Sequence, residues 1–395
     1  MRSDWVSPKI VIGPPATGNY YYERNDIVDE IWEELYKGSF ILIAAPRRVG
    51  KTSIMKFIAE NERDNYKAIF KNIQGINSKE EFYKTLYGLI LSCLHKSQKL
   101  KARFLNYLKT KKITEVDIKG SFKIESKETD YIEEINNLIP QINKDDETIV
   151  LIIDELPEML YSMHKNGNRE DAASILKNLR RWRQGDEFNK LRFILAGSIG
   201  IHYVVDAIEG RNSDLNDLKR IDCGPLNAGE ALDFINRATA EATIQYNKEL
   251  ESYLLEKIKT YYTPHFISIM LDEVNKKARK QNILTISIKD IDDAFEQVIK
   301  TSDHFTDWQK RLSDYLPKND FSFVNEVLTH IAHTNRIPIQ EVYNKATKYN
   351  KQEDYMQSIR DLVHDGYIRE EGSMYHFISP FLKEFWKRNN PVYHG

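Results

Sequence analysis

The chain has 395 residues, and its 57 basic residues nearly balance 59 acidic ones, which leaves a formal net charge of −2. This balance excludes an overall field that would draw the chain to nucleic acid or to a membrane. Two cysteines, Cys93 and Cys223, are too few for a disulfide framework and favour a reducing compartment. Since no apolar stretch approaches ~20 residues and the start lacks a signal-peptide pattern, we expect a cytoplasmic protein.

The first half of the chain alternates between strand-like and helix-like segments. A helix is predicted over residues 25–36, a buried strand over 40–44, a second strand over 66–73 and another helix over 78–94. This alternation predicts a parallel sheet. The charged, irregular segment 96–127 is predicted to be a surface insertion with one hairpin.

The strand at 40–44 leads directly into a segment typical of a phosphate-binding loop. Its backbone N–H groups and the following helix N-terminus would face an anion, with Lys51 on the terminal phosphates and the Thr52 hydroxyl on magnesium. The first residue is Ala45 rather than the usual glycine. Arg47 and Arg48 either assist the phosphates or contact another domain. The predicted nucleotide-binding residues here are Ala45, Pro46, Arg47, Arg48, Val49, Gly50, Lys51, Thr52 and Ser53.

Two acids end the next apolar run, at residues 148–155, which suits a strand buried on both faces. Asp154 is placed to hold magnesium through water, and Glu155 to orient or deprotonate the attacking water. The alternative is a helix N-terminus enriched in acids, because Leu156 and Pro157 also suit a helix start.

A further strand is predicted over 191–198, after a helix at 172–184. Ser198 at its end either holds the attacking water, reports on the γ-phosphate or caps the following turn. Phosphoryl transfer usually needs a further arginine. Arg211, in the loop beyond the strand, is our catalytic candidate, and the alternatives are Arg180, Arg181 and Arg183.

Beyond residue 225 the pattern becomes helical, over 228–242, 248–261 and 264–280, which predicts a lid-like bundle. Pro264 opens the last of these helices. There it either packs on the adenine face of a nucleotide or only starts the helix.

The last third of the sequence combines helices with two short strands around a turn, within residues 365–377, which suggests a winged helix. Such a module either reads DNA or docks against protein. Residues 321–390 hold nine basic and nine acidic residues, whereas a dedicated DNA binder would show a basic excess.

Several of these segments together resemble the archaeal and bacterial predicted P-loop ATPases at the border of AAA+ and STAND proteins. They are the Pro-Arg-Arg-x-Gly-Lys-Thr-Ser loop, the Ile-Asp-Glu run ending at Glu155, the Ala-Gly-Ser at 196–198 and the Phe-x-Ser-Pro-x-x-x-x-Phe-Trp tail. The segment ending at Arg24 is similar to that family's Phe-x-x-Arg element near the nucleotide. The resemblance implies ATP or ADP held between core, lid and winged helix, in oligomers. This chain has Tyr261-Tyr262-Thr263-Pro264 where the family prefers Gly-Gly-x-Pro.

The predicted fold is therefore an α/β P-loop NTPase of AAA+/STAND type, with a parallel sheet core at 1–225, a helical lid at 226–300 and a winged helix at 301–395. The predicted function is magnesium-dependent ATP hydrolysis that controls a conformational switch, with DNA or a protein as partner, no membrane, and a nucleotide-dependent homo-oligomer. Three alternatives are a DNA-binding regulator resembling archaeal initiators or transposition ATPases, a scaffold that holds ADP without turnover, and a P-loop kinase. Glu155 and the appended module disfavour the kinase.

Overall fold

The computed structural model describes residues 4–96, 113–117, 121–124, 129–142, 146–197, 201–210, 215–301 and 303–393. The chain forms two compact units. The sheet unit comprises Glu23–Ala45 and Lys51–Cys223, and the helical unit comprises Met1–Tyr22, Pro46–Gly50 and Gly224–Gly395.

A five-stranded parallel sheet forms the centre of the sheet unit, with strand order β2-β5-β6-β1-β7. Its strands are β1 (Phe40–Ala44), β2 (Tyr66–Asn72), β5 (Thr148–Asp154), β6 (Leu191–Gly197) and β7 (Leu218–Asp222). At the carboxyl edge Ala44 pairs with Gly197 and Asp222, and Asn72 pairs with Asp154. The predicted parallel sheet is confirmed, and the residues that follow β1 and β5 meet at one edge.

The insertion contributes an antiparallel hairpin, β3 (Ile113–Val116) and β4 (Phe122–Ile124). This confirms the predicted hairpin, and much of the remaining insertion lies outside the described residues. Strand β7 was not predicted. Its sequence is mostly polar, and Ile221 is its one buried residue, because β7 lies at the edge of the sheet.

Helices cover this sheet. Every residue of β5 is buried, as its continuous apolar run predicted. The helices are α1 (Asn25–Tyr36), α2 (Lys51–Glu60), α3 (Lys79–Lys96), α4 (Tyr131–Ile142), α5 (Leu156–Lys165), α6 (Arg169–Gln184) and α7 (Ile201–Glu209). In α1 the apolar residues Ile27, Ile31 and Leu35 recur at helical spacing and are all buried.

The helical unit continues with α8 (Ala228–Thr239), α9 (Lys248–Ile258), α10 (Pro264–Gln281) and α11 (Ile288–Lys300). An Asn227–Glu230 capping box starts α8, and the Asn247 side chain caps α9. The predicted helix 248–261 is too long at its carboxyl end. Tyr262 there forms a β-bridge with Leu226, which requires extended backbone.

Residues 303–393 are here named the carboxy-terminal module. In chain order they form α12 (Asp303–Tyr315), α13 (Lys318–Thr334), β8 (Ile337–Pro338), α14 (Ile339–Lys348), α15 (Tyr355–His364), β9 (Ile368–Glu371), β10 (Met374–Phe377) and α16 (Pro380–Asn389). The three strands form an antiparallel sheet of order β8-β10-β9, in a winged-helix arrangement with the predicted hairpin. The aromatic residues of the tail, Phe381, Phe385 and Trp386, are buried in the core.

Candidate nucleotide site

Within the sheet unit, the start of α2 places Lys51 beside the end of β1. Its ammonium Nζ donates a 2.7 Å hydrogen bond to the Ala45 carbonyl oxygen, and only 6% of the residue is exposed. Burial lowers the pKa of Lys51, although the carboxylates of Glu155 and Asp154 oppose this effect. A desolvated cation therefore lies at the loop where the sequence predicts the terminal phosphates.

The next residue of α2 contacts the predicted metal-binding acid. The Thr52 hydroxyl donates to Asp154 Oδ2 at 2.7 Å, and the Glu155 backbone N–H donates to Asp154 Oδ1 at 3.0 Å. Asp154 is 1% exposed, and burial, followed by the charge of Glu155, raises its pKa. The structure thus brings Lys51, Thr52 and Asp154 together at the carboxyl ends of β1 and β5.

Glu155 occupies the junction between β5 and α5. Its backbone is left-handed, with φ 62° and ψ 32°, a region that non-glycine residues rarely adopt. The strand therefore ends at Asp154, one residue before the predicted end. Such strain at one residue of a strand end is common where a side chain must point in a functional direction.

Close packing at the neighbouring strand fixes the start of α5. A Cβ added at Gly197, the last residue of β6, would collide with the Pro157 ring. Glycine is therefore required there for β6 and α5 to approach each other. The sequence left open whether Glu155 only belongs to an acid-rich helix start. In the structure Glu155 lies at a tightly packed strand end.

Cys223 follows β7. It is a neighbour of the site that the sequence did not predict. Burial raises the pKa of its thiol to about 11, while the charges of Arg24 and Lys51 lower it. Arg24 is 6% exposed, at the start of α1. The sheet unit thus places the predicted Arg24 close enough to the Lys51 region for both cations to act on one thiol.

The oxygen donors of Thr52 and Asp154 have the chemistry that Mg²⁺ requires. A hydroxyl and a carboxylate are hard ligands, and Mg²⁺ in nucleotide sites is typically held by one or two such groups together with phosphates. The residues present therefore fit the metal. Among the described residues, no group of three or more His, Cys, Asp or Glu is placed to hold a metal ion.

Within the helical unit, the loop residues Pro46–Gly50 include two residues with positive φ. Arg48 has φ 68° and Gly50 has φ 103°, while Val49 is 1% exposed. Arg48 Nη1 donates to the Gly13 carbonyl oxygen at 3.5 Å, and Arg47 Nη2 lies 4.0 Å from Asp307 Oδ2. The sequence left open whether these arginines assist the phosphates or contact another domain. The structure shows contacts with other segments of the chain.

Pro264 starts α10, and the Thr263 hydroxyl caps this helix by accepting from the Phe266 N–H at 3.1 Å. The prediction that Pro264 starts a helix is therefore confirmed. Next to it, burial, followed by the charge of Arg48, lowers the pKa of His265 to about 3. The adenine contact of Pro264 stays a prediction.

The two remaining catalytic candidates, Ser198 and Arg211, lie outside the described residues, so their roles stay predictions. Among the alternative arginines, Arg183 forms a two-pronged ion pair with Asp217, at 2.8 and 3.0 Å. Its side chain is 2% exposed, which assigns it to the packing of α6. Ser53, the second residue after Lys51, is also buried.

A helix that crosses a membrane must be both long and apolar. In the part of the chain that the structure describes, no helix combines the length and the apolar character that crossing a bilayer requires.

Comparison with known proteins gives a family and a fold. A model of an ATPase domain predominantly from Archaea matches residues 22–241, more than half of the chain. No curated protein matches. A Walker-type ATPase of Pyrococcus abyssi is similar with a TM-score of 0.61 and 15% identity, over 95% of this chain and 99% of that one. The ORC2 protein of Aeropyrum pernix, solved with ADPNP and ADP, gives 0.54 and 13%, over 96% and 95%.

Proposed function

The chain belongs to the family of ATPase domains found predominantly in Archaea, and on that premise we propose that it is a magnesium-dependent ATPase whose nucleotide controls a conformational switch. The observation that carries the chemistry is the 2.7 Å contact of Thr52 with the buried Asp154, beside the buried Lys51. Groups whose charged form is disfavoured by burial are typical of a site that binds a ligand.

Each residue has a distinct role in this proposal. Lys51 binds the terminal phosphates, and Thr52 and Asp154 would hold Mg²⁺, which would neutralise charge on the phosphates. Glu155, turned out of β5 by its left-handed backbone, orients and deprotonates the attacking water. Arg24 and Pro264 remain proposed nucleotide contacts, and Ser198 and Arg211 proposed catalytic groups.

The division of the loop supports the switch. Residues Pro46–Gly50 pack within the helical unit, while Ala45 and Lys51, their covalent neighbours, pack within the sheet unit. A ligand shifts a conformational equilibrium only by its difference in affinity for the two states. The γ-phosphate provides such a difference, because ATP has it and ADP does not.

Hydrogen–deuterium exchange tests the switch. Peptides of the helical unit are compared in the nucleotide-free wild type, with ADP, with a non-hydrolysable ATP analogue, and in Glu155→Gln with ATP. We expect the analogue and Glu155→Gln with ATP to give one pattern and ADP another. Lys51→Ala, which should bind no nucleotide, is the control that reports the nucleotide-free pattern under each condition.

Identical exchange with ATP analogue and ADP would contradict the switch while leaving the ATPase intact. The scaffold alternative makes a separate prediction, namely that the purified protein carries ADP and shows no turnover. Extraction and identification of the nucleotide distinguishes the two.

The carboxy-terminal module is the proposed partner-binding part. Its helix and strand order favours DNA, but three of its lysines are paired internally: Lys345 and Lys348 with Glu326, and Lys351 with Asp320 and Asp354. Because DNA binding depends on cations that are available to phosphates, we favour a protein partner. Duplex binding at low salt, followed by fluorescence anisotropy, would reverse this preference.

Light scattering in each nucleotide state tests the proposed homo-oligomer.

The cytoplasm is the proposed location, and the free thiols of Cys93 and Cys223 support it.

A further inference from the structure

Residues far away in sequence contact the phosphate loop. Within the helical unit, the turn between α15 and β9 brings Gly366 against Pro46. A Cβ added at Gly366 would lie 2.5 Å from Pro46 Cβ and 2.9 Å from Pro46 Cγ, closer than real Cβ atoms approach. Gly366 also has φ 77°, so both its backbone and its lack of a side chain are required at this contact.

A charge contact lies beside this steric one. Arg47 Nη2 is 4.0 Å from Asp307 Oδ2 on α12. Burial, and then the positive charges of Arg311 and Arg48, lower the pKa of Arg47, and the Asp307 carboxylate opposes this. Asp307 also opposes the lowered pKa of Arg48. One carboxylate therefore counters both arginines of the loop, where like charges would otherwise repel.

We propose that Asp307 and Gly366 are positioning residues for nucleotide binding: through Arg47 and Pro46 they hold the loop in the conformation in which Arg48 and Gly50 have positive φ. Neither residue is proposed to contact phosphate. The proposal rests on the proposed function, since it requires that the loop binds nucleotide.

The physical effect is preorganisation. A loop held in one conformation loses less conformational entropy when a ligand binds, so its affinity is higher. Release of the loop should weaken ATP binding and leave the chemical step at saturating ATP close to wild type. The module would thereby set the affinity of the site through the loop.

The test for Asp307 is a charge exchange in the full chain, with ATP affinity measured by calorimetry and kcat and KM by phosphate release. Asp307→Arg and Arg47→Asp should each raise the Kd and KM for ATP by roughly three- to fivefold, as expected for a partly exposed ion pair. The double variant Arg47→Asp/Asp307→Arg should recover most of this loss, and kcat of Asp307→Arg should stay close to wild type. Glu296→Arg, which breaks an exposed ion pair with Arg388 elsewhere in the helical unit, is the control.

The test for Gly366 uses a matched glycine. Gly372 lies in the turn between β9 and β10 with φ 62°, but a Cβ there would meet nothing within 4 Å. Gly366→Ala and Gly372→Ala therefore introduce similar backbone strain, and only the first displaces Pro46. We expect Gly366→Ala alone to raise the Kd for ATP.

Three outcomes decide the proposal. Loss of affinity in the single variants with recovery in the double variant supports it. Equal ATP affinity in wild type and Asp307→Arg, or equal effects of the two glycine substitutions, would overturn it while the ATPase proposal stands. A wild-type chain that binds no nucleotide would overturn both.

Discussion

The strand-end site and two charge clusters of the carboxy-terminal module, around Glu326 and Lys351, both contain charged groups removed from water, but their pKa values shift in opposite senses. In the site, burial lowers the pKa of Lys51 and raises that of Asp154, so each charged form is disfavoured. In the module, burial acts against the charge of Glu326, yet hydrogen bonds from Tyr349, Lys348 and Lys345 lower its pKa. Asp320 and Asp354 likewise outweigh burial and raise the pKa of Lys351.

The difference separates a binding site from a structural network. The groups of these two clusters satisfy one another, so their charges stabilise the fold that contains them. The charges of the site are less well compensated within the protein. A phosphate and a divalent cation would supply the missing compensation, which is why we place function at the strand ends and not at Glu326.

The largest effect is expected for Glu155→Gln. It should lower kcat by about 10²- to 10⁴-fold, because it removes the proposed general base, and ATP affinity should stay close to wild type. Phosphate release and calorimetry measure the two quantities. Glu60→Gln, on the exposed end of α2, is the control, and wild-type turnover by Glu155→Gln would refute the assignment.

Lys51→Met should weaken ATP binding by at least about 100-fold, because a charge-assisted contact in a water-poor site is lost. The same change should not lower the melting temperature of the nucleotide-free protein, since the buried ammonium of Lys51 is held against its preference for water. Calorimetric melting checks this. A clear drop in melting temperature would place Lys51 with the structural charges.

Glu326→Gln should give the reverse pattern. It leaves the buried Lys345 without its carboxylate partner, and we expect the free energy of unfolding to fall by about 1–3 kcal/mol. ATP turnover should be unchanged. Urea denaturation measures the loss against the exposed Glu353→Gln, and an equal effect of both variants would contradict the structural role.

The smallest effect is a pH dependence of opposite sign in the two regions. Because the folded-state pKa of Glu326 is below its ordinary 4.5, its stabilisation is present above that value and is lost as pH falls through the folded pKa. The folded-state pKa of Asp154 is above its ordinary 3.8, so its ionisation costs stability as pH rises through the raised value.

Unfolding free energies measured from acid to neutral pH compare wild type with Glu326→Gln and with Asp154→Asn. As pH rises, the unfolding free energy of the wild type should increase relative to that of Glu326→Gln. The unfolding free energy of Asp154→Asn should increase relative to that of the wild type. Slopes of the same sign would remove the distinction between the two regions.

Most of the sheet was predictable because its signals are local. The run that became β5 is apolar from residue 149 to 153 because both faces of the strand are covered, and the loop after β1 carries a distinctive residue order. Strand β7 lacked such a signal, since an edge strand needs only one buried residue. The left-handed Glu155 was also unpredictable, because its conformation depends on how α5 packs against Gly197.

The sequence by itself determined the parallel sheet, the phosphate loop and the acids at the end of β5, since each depends on residues adjacent in the chain. Only the tertiary structure decided that Thr52 contacts Asp154 and that Asp307 and Gly366 lie against the loop. Contacts between residues far apart in sequence depend on how whole elements pack, and no local periodicity encodes that packing.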